Sequence, residues 1–325
     1  MSVALKQSAP HRPAPAPGAP APGAGPARQV WRRVRRRPAA LAAGGVLALL
    51  VLLALAAPLL AQLTGQDPNA YHDDLVDSAR GGVPLGSFGG ISADHWLGVE
   101  PGTGRDLLTR LLYGARISLL VALGAVVVQT LVGVGIGLAA ALGGRFAGQL
   151  IGRFTDVMIA LPMLVIGIAL TAVVPPDFPR PLLLILLITA RMVRAQALAL
   201  QGLDFVDAAR LSGRGGLGIA RRELLPSLAA PVITIAAIKV PTAIVAEASL
   251  SFLGVGVKPP TPSWGQMLSS AQTWFRADPT YVLLPAGLLF VTVLAFTVLG
   301  DAVRTALDPR EGSRLRVGTR KERTA

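Results

Sequence analysis

Long uncharged runs, broken by short polar segments, set the pattern of this chain. Uncharged or nearly uncharged stretches cover residues 38–66, 117–144, 157–174, 181–190, 229–252 and 281–300. A helix rises 1.5 Å per residue, so about 20 apolar residues cross the ~30 Å of hydrocarbon in a bilayer. The pattern therefore predicts an all-α, polytopic membrane protein with about six transmembrane helices. In detail it predicts a tail over 1–38, a first span over 39–62, a polar outer segment over 63–116, a core of five spans over 117–300 and a second tail over 301–325.

Departures from plain apolar runs carry more information. In the fourth stretch Arg191 and Arg194 interrupt the run before 195–203 resume it. Ten helical residues cover only about 15 Å, so these arginines either snorkel to the surface from a short span or face a wet bundle interior. The fifth span holds Lys239 and Glu247. Each is costly in lipid and is expected to face protein or a water-filled path, and about 12 Å of axial separation keeps them from pairing with each other. In the second span Gly133 and Gly137 allow close helix packing. Leu107, Leu108, Leu111 and Leu112 line one side of 106–116, which predicts an interfacial helix leading into the bilayer, and Trp264 is expected at an interface.

Composition agrees with a membrane protein: 52% of residues are apolar and only 15% charged. The formal charge of +13 could suggest nucleic acid, but the basic residues gather beside apolar runs. Segments assigned inside carry about three times as many Lys and Arg as those assigned outside, which places both termini in the cytoplasm. Residues 9–29 are a Pro/Ala/Gly tract expected to be disordered.

Several chemistries are excluded or disfavoured. There is no Cys, so neither disulfides nor thiolate metal sites can form. His11, His72 and His95 show no metal-ligand spacing, and no Lys stands in the arrangement of a phosphate-binding loop. No nucleophile-elbow motif occurs, and the expected spans contain no His, which argues against an intramembrane enzyme. No catalytic, cofactor or metal site is expected, and any ATP used must be hydrolysed by another subunit.

One polar island remains, DAARLSGRGGLGIARRELLP at 207–226, within a loop over 201–228 between the fourth and fifth spans. Asp207 can start a short helix, Gly213 can end it, and Pro226 can restart the chain toward the membrane. Its pattern resembles the EAA loop of ABC-importer permeases, with Asp207, Ala208, Ala209, Gly213, Leu225 and Pro226 at matching spacing and Ile219 at a usual apolar position. Asp207 stands where Glu is usual. Blocks over 95–119, 247–268 and 294–310 are also similar to the C-type permease of dipeptide, oligopeptide and nickel importers.

The resemblance implies a type I importer permease in the plasma membrane, paired with a second permease. It also implies two ATPase subunits that bind ATP and magnesium, and a solute-binding protein outside. The island would then be the coupling loop that docks on an ATPase. Peptide import is the first expectation and import of nickel or another small solute the alternative, while a scaffold would leave the island's spacing unexplained.

Overall fold

The computed structural model describes residues 31, 34–142, 149, 153, 162–173 and 225–307. The Pro/Ala/Gly tract, the fourth expected span with Arg191 and Arg194, and island residues Asp207, Ala208, Ala209, Gly213 and Ile219 lie outside the described residues.

Six helices are described: α1 (Pro38–Thr64), α2 (Leu107–Leu142), α3 (Met163–Val173), α4 (Leu225–Phe252), α5 (Trp264–Ala271) and α6 (Pro279–Leu307). Of these α1, α2, α4 and α6 are long and apolar enough to cross a membrane. Local chemistry sets their ends. Proline opens α1, where a missing N–H costs nothing, and Gly65 at φ 70° ends it while the N–H groups of Gly65 and Gln66 bond back to Gln62 and Ala61. Ser263 caps α5 by accepting the Gln266 N–H.

α4 packs between α2 and α6, and α1 lies against α2 and α6. One core joins Val121, Ala122, Ala125 and Val126 of α2 to Val240, Ala243, Ile244 and Leu250 of α4. A second gathers Ala54, Leu107, Leu111, Trp264, Met267 and Tyr281 around α5. Ala40, Ala43, Ala295, Ala302 and Ala306 line the contacts of α1 with α6, where small side chains let backbones approach. Leu49, Leu52, Leu55, Leu59 and Leu63 of α1 point outward, as do Leu283, Phe290 and Leu294 of α6, giving the bundle an apolar exterior suited to lipid.

Two expectations are revised. The stretch 106–116 is not a separate interfacial helix: from Leu107 it is the first part of α2, because Leu107, Thr109, Arg110 and Leu111 are all buried against neighbouring elements rather than lying on a surface. Trp264 does not face lipid or water: it is fully buried in this chain, with its indole N–H donating to the Leu111 carbonyl at 3.2 Å. Leu225 and Pro226, at the end of the island, are the first described residues of α4.

Between α1 and α2 the chain folds into a cap over one end of the bundle. It holds a short antiparallel hairpin, β1 (Val76–Asp77) with β2 (Val83–Pro84), and a bridge between Val99 and Asp106. Gly104 is needed there: its φ is +66°, and any Cβ would collide with the His72 carbonyl.

Candidate functional site

The cap meets the bundle through a buried charged cluster. Glu100 follows the bridged strand residue Val99, and its N–H takes the Arg105 carbonyl at 2.8 Å, so the turn 100–105 folds back on itself. This brings Arg105 Nε within 2.6 Å of Glu100 Oε2, to which the Thr103 hydroxyl also donates at 3.0 Å. The other oxygen, Oε1, accepts a hydrogen bond from the Tyr281 hydroxyl at the start of α6. Arg105 also lies over the Tyr71 ring, 5.3 Å from its centre.

Arg110, one turn into α2, completes the cluster and is fully buried. Its Nε stands 3.3 Å from Glu100 Oε2, close enough to attract without hydrogen-bond alignment. Its remaining donors go to Pro68 O at 2.9 Å, Pro260 O at 3.2 Å and Gln266 Oε1 at 3.4 Å. A guanidinium has five donors in a fixed fork, so one side chain ties together the chain after α1, the loop before α5, and α5 itself. Burial of these charges is tolerable because each is paired and hydrogen-bonded.

Beside this cluster Asp106 caps α2. Its Oδ2 accepts both the backbone N–H and the hydroxyl of Thr109, at 2.7 and 2.6 Å, while Oδ1 lies 3.0 Å from His95 Nδ1. A carboxylate here complements the positive end of the helix dipole.

Deeper in the bundle a second polar group forms around Glu247 of α4. The side chain is fully buried and its Oε1 accepts from the Ser251 hydroxyl at 2.9 Å. Its other oxygen, Oε2, is buried without a hydrogen-bond partner among the described residues. Lys239, by contrast, is half-buried and lies about midway along α4, where the nearby Ala237 backbone lies against Gly300 of α6. Among the described residues no carboxylate pairs with it.

The structure describes two of the four polar residues singled out in the spans. Glu247 belongs to the bundle interior, Lys239 to its half-exposed side, and Arg191 and Arg194 lie outside the described residues. Glu100, Arg105, Arg110 and Tyr281 were missed. The available signal was Arg110 itself, a charge set between Leu107 and Leu111 on the apolar side of a helix. None of these groups is arranged for bond-making chemistry. They fasten helices to one another and to the cap.

Comparison with known proteins adds the identity. Residues 132–312 match the family described as binding-protein-dependent transport system inner membrane component, and residues 25–77 match the N-terminal TM domain of oligopeptide transport permease C. The chain is 33% identical over 289 residues to the dipeptide transport system permease protein of Alkalihalophilus pseudofirmus, covering 88% of this chain and 90% of that one. It is 36% identical over 303 residues to the di/tripeptide transport system permease protein of Pseudomonas aeruginosa, covering 91% and 96%. It is also 36% identical over 289 residues to the glutathione transport system permease protein of Salmonella typhimurium, covering 88% and 91%.

Proposed function

This chain belongs to the family of binding-protein-dependent transport system inner membrane components, and from that premise we propose that it is one half of a heterodimeric pore that imports di- or oligopeptides by alternating access. As a family member it is a multi-pass inner-membrane permease of an ABC importer, not an ATPase, and no cofactor is expected on it. Binding-protein-dependent transport implies a solute-binding protein, ATPase subunits and a partner permease.

The substrate class rests on one observation: the relatives matched over about nine-tenths of their length are named for dipeptides, di- and tripeptides, or glutathione. Glutathione is itself a small peptide, so a peptide-sized solute with a free carboxylate is common to all three. In this reading the cap faces the outside and meets the binding protein, and both termini are cytoplasmic. The segment from Asp207 through Ala208, Ala209 and Gly213 docks on an ATPase subunit. Ile219 belongs to the same loop, and Leu225 and Pro226 carry the motion into α4, whose first described residues they are.

Isolating the cognate binding protein and identifying its bound ligand by mass spectrometry tests the substrate class. A peptide of two to several residues is expected. A nickel chelate or an unrelated small solute would overturn the peptide reading and favour the alternative.

A further inference from the structure

Lys239 stands midway along α4, roughly 20 Å from either end of the helix at 1.5 Å per residue. Its four-carbon stem is too short to carry the ammonium to either surface, so snorkelling does not explain it. The side chain is half-buried, and among the described residues no carboxylate pairs with it. Glu247 is eight residues on, about 12 Å along the axis, and fully buried. A cation at this depth is costly unless it meets water or an anion.

The face beside Lys239 is unlike the lipid faces of the bundle. Ile238, Thr242, Val245 and Ser249 form an exposed stripe on one side of α4, and Lys239 borders it, about 60° round the helix from Thr242. α1 instead turns Leu49, Leu52, Leu55, Leu59 and Leu63 outward. Where this chain pairs charges permanently, as Glu100 does with Arg105 and Arg110, every partner is buried. Lys239 is half-exposed beside two hydroxyl-bearing residues, an arrangement suited to an anion that comes and goes in water. We propose that Lys239 lines the water-filled path of the pore and meets the carboxylate of the passing solute. This rests on the peptide-import reading above and deepens it: every peptide with a free C-terminus brings such a group, whatever its side chains.

The test uses the importer reconstituted in proteoliposomes with its ATPases and binding protein. Alanine tripeptides with a central glutamate, alanine or lysine are supplied at saturation. The same binding protein serves every variant, so the rate relative to the unsubstituted complex isolates the pore for each peptide. Lys239→Met is expected to slow all three, the glutamate peptide most. Lys239→Glu is expected to lower the ratio of glutamate-peptide to lysine-peptide uptake about ten-fold. The chain has no Cys, so Lys239→Cys adds a unique thiol. That thiol is expected to react with a water-soluble methanethiosulfonate and to be protected while peptide is being transported. An unchanged uptake ratio in Lys239→Glu, or a thiol that is unreactive or unprotected, would overturn the proposal. Equal slowing of all three peptides with loss of the copurified permease would also overturn it, assigning the lysine to a carboxylate of a partner subunit. No uptake by the unsubstituted complex would remove the importer reading and the solute with it, whereas a reactive thiol would still place Lys239 in water.

Discussion

At the scale of single residues, the Glu100 cluster makes the sharpest stability claims. Glu100 neutralises charge between Arg105 and Arg110, and all three are buried. Replacing Glu100 with Ala leaves two guanidiniums facing each other without a counter-charge, which is expected to cost about 3–5 kcal/mol. Thermal unfolding of the purified protein checks this, and the loss in a Glu100→Ala, Arg110→Ala double variant is expected to fall short of the sum of the two singles. Tyr281→Phe removes one hydrogen bond to a charged acceptor and is expected to cost about 1.5–3 kcal/mol in the same assay. Gly104→Ala combines a left-handed backbone with a collision, so it is expected to destabilise the cap, visible as faster proteolysis within 65–106.

Residue-scale contacts of this kind were the least legible in the sequence. Tyr281 and Glu100 are 181 positions apart, and Trp264 reaches Ser118 across 146. No local periodicity encodes such a pairing. Trp264 shows the reason: an aromatic residue after a proline-rich loop fits an interfacial anchor just as well, until a neighbouring helix is seen to supply the Leu111 carbonyl for its indole.

At the scale of elements, length without charge is written directly in the sequence, so α1 and α6 are readable from their apolar runs. Boundaries depend on what lies beside the chain. α2 begins at Leu107, because Arg110 finds partners inside the protein and its charge does not end the helix. Capping gives a test at this scale. Asp106→Ala removes the acceptor for both Thr109 groups and is expected to cost about 0.5–2 kcal/mol, with faster amide exchange confined to the first turn of α2. Exchange unchanged there would mean that packing of Leu107 and Leu111 holds the helix start unaided.

At the scale of the whole molecule, the described residues place an apolar exterior on α1 and α6 around an interior that holds a charged cluster beneath the cap and the buried Glu247. From the charge asymmetry along the sequence the cap is expected outside, and a chain without Cys allows that to be read by labelling. A cysteine replacing exposed Lys258, in the cap-side loop before α5, is expected to react with an impermeant maleimide on intact cells, and one replacing Thr324 only after permeabilisation. The reverse order would invert the topology. Family membership was legible from the spacing of Asp207, Ala208, Ala209 and Gly213 and from the blocks around the cap and α5. Substrate identity was not, because no pocket chemistry distinguishing one peptide from another is encoded in these segments.

In the proposed function this chain is a passive pore half, driven through its 207–226 loop by ATP hydrolysed elsewhere. Uptake of a labelled peptide into proteoliposomes holding the chain with its copurified partners tests it most directly. Accumulation is expected only with ATP on the ATPase side, and a Gly213→Trp variant is expected to lose both the uptake and the copurified ATPase. Accumulation without ATP, or full uptake and ATPase retention in the Gly213→Trp variant, would contradict the account.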